Sequence, residues 1–488
     1  AIGNIEPLLE IIYPNCWGKE EPADCDWNVV KNVSTIEITG IVAGMLIISF
    51  FADWIGRKKG SRLCTSIMLV GAILLTAAGG SATAYLTLLC LGLWIFGFGV
   101  GGEYPLAASS AAERAEGSAE NRAKRGQTIA LVFTQQGWGN FSNTLVILIL
   151  LACVGATGRQ PTADESTVIL HVQFAVGLAI ILGLLVYRFT KLEESKVWEA
   201  ERRGVDQELK DEGDDGKDSA KLYSVVLKRN WPRLLETSFA WFLNDFVFYG
   251  NKLFQSRFIE IMSGPDAPLF TNISWTLLNS GIGLAGYFMS AFMIDRRWYG
   301  RFWIQANGFL MLGVIFLVCA IWYDWLVSEQ LQLFQFLYFF STFWGQFGPN
   351  ATTYVVPGEV FPTDVRAFFH GISAATGKLG AIAASQVFAS ASITTIFYVS
   401  SGCGFFGVLF TWLLLPDTTG LDLGELDRLN RYLLAGKVSK YHGEAANPLY
   451  LSIFERILGY GKAYDPVLDE EQKCLQRADI LAKSSRQG

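Results

Sequence analysis

The sequence predicts an all-α polytopic membrane protein of twelve transmembrane helices in two six-helix bundles, with helix 1 truncated at the N-terminus. Three observations lead there: the composition, a series of long apolar runs, and one charged stretch that divides them. Of 488 residues, 51% are hydrophobic and only 17% are charged, whereas soluble domains carry about a quarter charged residues. So few charges cannot cover the surface of soluble domains of this total length. The same hydrophobicity excludes disorder. A net charge of −6 gives no reason to expect a nucleic-acid partner.

A helix needs about 20 apolar residues to cross the hydrocarbon core. Runs near 35–52, 63–79, 84–112, 127–153, 167–190, 233–262, 271–294, 302–326, 330–361, 365–398 and 399–416 meet that length. The opening segment, Ala1 to Tyr13, is apolar but too short to span. It starts without methionine or a polar leader, so it is expected to be the back half of a first helix; a short surface-lying segment is the alternative. The charged stretch 193–230 is expected to be a cytoplasmic linker between bundles 1–192 and 231–416, and 417–488 a cytoplasmic tail with short surface helices.

Basic loops set orientation. Arg57, Lys58, Lys59 and Arg62 follow the second helix, Arg114, Arg122, Lys124 and Arg125 the fourth, and Arg296, Arg297 and Arg301 the eighth. Alternate loops are poor in basic residues: Glu20, Glu21, Asp24 and Asp26 outnumber Lys19 and Lys31, and others hold Asp164 and Glu165, or Asp266. Both chain ends are therefore expected on the cytoplasmic side, in a membrane taken to be the plasma membrane. Cys16 and Cys25 share one polar loop and could pair in an oxidising compartment or remain free thiols. No metal spacing appears. With three histidines and no triad-like motif, no enzyme chemistry and no cofactor are expected.

Ionisable groups at membrane depth are costly and mark candidate sites. Glu103 and Tyr104 lie in one such segment, and Gln135 and Gln136 in the next. Asn244, Asn251 and Lys252 lie in the seventh, and Gln346, Asn350 and Lys378 further on. Trp241, Asp245 and Tyr249 recur at i, i+4 and i+8, one face of a helix. An aspartate amid aromatics argues against a purely structural stripe, because an unpaired carboxylate in a dry core is expensive. Asn350 follows Gly-Pro, where a broken helix frees backbone groups to line a cavity. Lysine, phenols, indole, amides and a carboxylate together suit a small oxyanion that carries both O–H and O⁻.

These segments resemble known ones. Ser49–Gly60 (SFFADWIGRKKG) resembles the loop 2–3 motif of the major facilitator superfamily, with Ser49 where glycine is usual, and Ala291–Arg301 (AFMIDRRWYGR) repeats its outline. GGEYPLAASSAAER, WFLNDFVFYGNKLFQ and FGPNATTYVVPGEVFPTDVRAFFHGISAATGKLGA resemble the phosphate:proton symporter family from about residue 5 to residue 430. The resemblance implies substrate contacts at Tyr104, Gln136, Trp241, Asp245, Tyr249, Asn350 and Lys378. It implies proton handling at Glu103, where an aspartate is usual, together with Asp245. Asp53, Arg57, Asp295 and Arg301 are expected to latch the cytoplasmic side. Lys252 stands where an amide is usual and His171 where an arginine is, the latter expected to make a structural contact. The family's helix 1 aspartates would lie upstream of Ala1.

The function expected is import of inorganic phosphate with protons by alternating access, in the lipid bilayer. The alternatives are transport of an organic phosphate such as a glycerophosphodiester, or a phosphate-sensing transporter-receptor. Oligomeric state is open.

Overall fold

A computed structural model describes residues 2–16, 27–116, 118–199, 219–253, 255–264 and 267–474. Cys25, the charges from Lys19 to Asp26, Asp266 and linker residues 200–218 lie outside the described residues. Cys16 is buried and disulfide-bonded.

The described chain is helical throughout. The first half holds α1 (Ile2–Ile12), α2 (Trp27–Ile55), α3 (Arg57–Ala77), α4 (Ala82–Ala115), α5 (Arg125–Cys153) and α6 (Ala163–Thr190). The second holds α7 (Ser219–Leu253), α8 (Leu269–Met293), α9 (Gly300–Ile321), α10 (Leu331–Phe347), α11 (Arg366–Ser390) and α12 (Ile393–Leu414). Among the described residues, seven helices are long and apolar enough to cross a membrane on length and composition alone. Helices α7, α8, α10 and α11 fall outside that group. Helix α10, broken at Gly348, has only 17 residues; the other three carry polar residues, and a helix facing a polar cavity gives up part of its hydropathy.

Close backbone approach builds the first bundle. On α2, Gly40 and Gly44 face carbonyls of Trp94 and Phe98; on α4, Gly97 and Gly101 face carbonyls of Glu37 and Ile41. A Cβ on Gly44 would sit 2.0 Å from the Phe98 oxygen, and one on Gly101 2.1 Å from the Ile41 oxygen. Reciprocal small residues four apart let two helices touch along their backbones. Gly44→Leu is therefore expected to lower the unfolding temperature of detergent-solubilised protein sharply, since even modest overpacking costs about 1–3 kcal/mol. Gly183→Ala on α6, where a Cβ meets nothing within 4 Å, should be neutral or mildly stabilising through helix propensity.

Differences from expectation have local causes. Helix α7 begins at Ser219, so residues 219–230 are its first turns and not linker. Val226 is fully buried and packs with Phe361, Val365 and Phe369, which explains the extension. Residues 330–361 form three pieces: α10 stops at Gly348, and Pro349–Val355 and Pro357–Val360 follow. Each proline stands at a helix start, where its missing N–H is harmless. The tail does more than lie on the surface. Helix α13 (Leu423–Leu434) carries Asp427, which accepts hydrogen bonds from the Thr363 backbone N–H (2.7 Å) and hydroxyl (2.8 Å). Glu455 pairs with Arg233 of α7 at 2.7 Å, both buried. His171 makes the structural contact expected, its ring nitrogens 2.8 Å from the Thr167 and Ala78 carbonyls.

The bundles meet along α2 against α11 and α5 against α8. Gly371 of α11 lies on the Met45 carbonyl and Ser49, and Gly137 of α5 lies on the Tyr287 ring. These seams place side chains from both halves around one central volume.

Candidate functional site

Asp245 and Lys378 form an ion pair of 2.7 Å, joining α7 to α11, with both side chains buried. The Lys378 ammonium also donates to the Tyr249 hydroxyl at 3.1 Å and lies over the Tyr249 ring (4.3 Å) and the Tyr104 ring (5.5 Å). Trp241 is buried beneath, against Gly377, a residue with no side chain to displace the indole. The i, i+4, i+8 face of α7 thus meets Lys378 as a unit.

From Asp245 a hydrogen-bonded chain crosses the molecule. The Asn244 amide donates to Asp245 (3.0 Å) and to the Asn350 oxygen (3.2 Å). Asn350 donates to the Tyr287 hydroxyl (2.8 Å) and to Gln346 (2.5 Å). Tyr287 donates to the Gln136 oxygen (2.8 Å), and Gln136 donates to the Tyr104 hydroxyl (2.9 Å). Tyr104 and Gln136 belong to the first half, the others to the second. Six expected residues, Tyr104, Gln136, Asp245, Tyr249, Asn350 and Lys378, therefore share one network, with Trp241 packed at its edge. Asn244 and Gln346 noted above take part, and Tyr287 was not anticipated. Gln135 is exposed on the far side of α5.

Glu103 does not join this network. It pairs with Arg188 of α6 at 2.5 Å and accepts from the Ser61 hydroxyl at 3.1 Å. Neighbouring residues on a helix point about 100° apart, so Tyr104 faces the centre and Glu103 faces α3 and α6. Lys252 donates to the Asn140 oxygen at 2.8 Å and interacts electrostatically with Glu37 of α2, a further embedded carboxylate absent from the expected set.

A pocket with an empty volume of about 750 Å³, counting the part open to solvent, adjoins the chain. Asn244, Tyr287 and Gln346 form its wall toward Asp245, and Asn140 and Lys252 lie further out. On the opposite flank, Phe133 stacks on Tyr354 at 4.3 Å and Tyr104 stands edge-on to Tyr354, closing the centre toward the basic loops.

The basic end carries two related clusters. Glu113 of α4 binds Arg57 at 2.7 Å and lies 3.8 Å from Arg366 of the other half. Glu359 binds Arg301 at 2.7 Å and Arg125 of the other half at 3.0 Å, and accepts from the Thr418 hydroxyl at 2.7 Å. The expected latch residues also pair: Asp53 with Arg57 (2.9 Å) and Asp295 with Arg301 (2.8 Å). Each aspartate reaches across as well. Asp53 accepts the Phe368 N–H (3.0 Å) at the start of α11, and Asp295 accepts the Gly126 (3.1 Å) and Gln127 (2.7 Å) N–H groups at the start of α5. Carboxylates at helix N-termini meet unpaired donors and the positive end of the dipole. Glu113, Glu359, Arg125 and Arg366 were not in the expected latch. Their signal in the sequence is a buried-segment charge near the basic loops: Glu113 in the last turn of α4, and Glu359 in the short Pro357–Val360 helix before α11.

Comparison with known proteins agrees in kind. The profile of the family described as sugar (and other) transporter matches residues 2–429. A "Probable inorganic phosphate transporter 1-7" of Arabidopsis thaliana is 31% identical over 483 residues, 88% of this chain and 89% of the relative. A "Low affinity inorganic phosphate transporter 1" of Petunia hybrida is 30% identical, over 88% of this chain and 89% of its own length. Among solved structures, the proton:xylose symporter XylE bound to 6-bromo-6-deoxy-D-glucose superposes with a TM-score of 0.70 at 17% identity, covering 88% of this chain and 94% of that one. The human organic anion transporter MFSD10 gives 0.54 at 15% identity, covering 84% and 89%.

Proposed function

The chain belongs to the sugar (and other) transporter family, and from that premise we propose that it imports inorganic phosphate together with protons by alternating access. The phosphate-transporter names of its relatives support the substrate. The buried Asp245–Lys378 pair, continuous with Tyr104 and Gln136 of the other half, is the observation that carries the reading. An anion cannot enter a dry site beside an ionised carboxylate without large cost. A proton on Asp245 releases Lys378 to the phosphate, and the acid then donates to a phosphate oxygen. Tyr104, Gln136, Trp241, Tyr249 and Asn350 supply the neutral donors. Because these residues come from both halves, phosphate draws the halves together, and loss of the proton inside restores the Asp245–Lys378 pair and expels the anion.

Of the two carboxylates expected to carry protons, Asp245 is favoured, since Arg188 already balances Glu103 outside the network. The basic end is taken as cytoplasmic and the membrane as the plasma membrane. Asp53, Arg57, Asp295 and Arg301 act as the latch, with Glu113 and Glu359 at its centre. The proposed division into bundles 1–192 and 231–416 moves its second boundary to Ser219.

Purified protein in liposomes tests this. Labelled phosphate should accumulate when the outside is acidic and leak away when a protonophore is added, and xylose should not compete. Phosphate uptake indifferent to the gradient would remove the coupling, and uptake of xylose without phosphate would remove the substrate.

A further inference from the structure

The pocket beyond Asn244 is chemically unlike the ion-paired centre. None of Asp245, Lys378, Tyr104 or Trp241 lines it. Its outer wall carries amides: Asn140 from α5, Asn251 at the end of α7, Gln255 just after, and Asn279 of α8. Three of these leave buried polar atoms without a partner among the described residues, namely the Asn251 and Asn279 side-chain oxygens and the Gln255 side-chain nitrogen. Asn279 is only 7% exposed. Buried polar atoms left unsatisfied are costly, so such a wall calls for a ligand or water to complete it.

The missing partners have a defined character. Free amide oxygens need hydrogen donors. A phosphate oxyanion is mainly an acceptor, and it is already matched by Lys378 and the phenols. Hydroxyl groups donate and accept, which suits amides on all sides. The same pocket presents the rings of Phe248, Phe316 and Tyr338, faces against which the C–H surface of a polyol packs. Lys252, held on Asn140 at 2.8 Å, keeps a cation at this wall.

Resting on the phosphate reading above, we propose that this pocket takes the hydroxyl-bearing organic part of a phosphate ester whose phosphoryl group sits at Lys378. Asn244, Tyr287 and Gln346 line the pocket and also belong to the hydrogen-bonded network that leads to Asp245 and Lys378, so a ligand that replaces their mutual hydrogen bonds reaches from the pocket to the lysine. Inorganic phosphate then occupies only the Lys378 end, and hydroxylated phosphate esters occupy both.

Competition against labelled phosphate on the purified protein decides, with glycerol 3-phosphate, ethyl phosphate and free glycerol as probes. Glycerol 3-phosphate should displace phosphate about tenfold better than ethyl phosphate, which carries the charge without hydroxyls; that factor matches one or two net hydrogen bonds. Asn279→Leu should erase the difference while phosphate affinity stays within about twofold, and Gln255→Leu should do the same independently. Phosphate binding in the same samples reports that each variant is folded. Equal competition by the two esters, failure of both to compete, or a displacement by glycerol alone would overturn the proposal. So would variants that weaken phosphate and ester equally. Absence of phosphate binding to the unmodified protein would instead defeat the reading on which the proposal stands.

Discussion

Asp245→Asn abolishes proton-driven phosphate uptake while leaving phosphate bound. Asparagine keeps the volume, and its single oxygen can accept from Lys378, which contacts one oxygen of the aspartate at 2.7 Å, while the contact that Asn244 makes to the other oxygen at 3.0 Å is given up. It mimics the protonated acid permanently. Lys378 then remains a buried cation without a counter-charge, a state costing about 3–5 kcal/mol when one partner of a buried pair is removed. An entering phosphate relieves that cost, so affinity holds or rises. Release suffers, because no carboxylate returns to take the lysine back. Uptake should fall about 100-fold, equivalent to about 3 kcal/mol on the slow step, and binding should lose its dependence on pH. Uptake assays with labelled phosphate, beside equilibrium binding on the same preparation, check both halves of this result. Wild-type uptake by the variant would remove Asp245 from the mechanism.

Glu359→Gln opens the basic end. This carboxylate binds Arg301 and Arg125, whose side chains are each 1% exposed, and it accepts from Thr418. An amide leaves two buried guanidinium groups facing each other across the halves. A loss of about 3 kcal/mol raises an open state populated at about 1% to about half. Hydrogen exchange reads the change directly. The Gly126 and Gln127 amides, which donate to Asp295 in the closed arrangement, should exchange faster, as should the Phe368 amide that donates to Asp53. Unchanged protection at all three would show that the closed end is held by packing and not by charge.

The bundle was largely legible in the sequence because a membrane imposes long apolar runs, and because scarce charges within them stand out. The break at Gly348 and Pro349 was legible for the same local reason, proline chemistry. The residues from Tyr104 to Lys378 that the resemblance singled out lie in one hydrogen-bonded network. What failed to show was direction and distance. Glu103 and Tyr104 are adjacent in sequence and face different helices. Tyr287 is a single phenol in an apolar stretch, indistinguishable there from a packing aromatic, and becomes a link only when α5 and α8 meet. Glu113 and Glu359 stand in terminal turns, where charges usually face water, and their partners lie up to 234 positions away. The tail acids Asp427 and Glu455 find partners 64 and 222 positions away. Amphipathic surface pattern cannot reveal such pairing.

The central claim is that phosphate and a proton on Asp245 replace the Asp245–Lys378 pair together. Calorimetric titration of phosphate into the purified protein, in two buffers of different ionisation enthalpy, counts the protons taken up on binding. The account predicts that the wild type takes up about one proton more per phosphate than Asp245→Asn does under the same conditions. Equal proton uptake by the two proteins would contradict it.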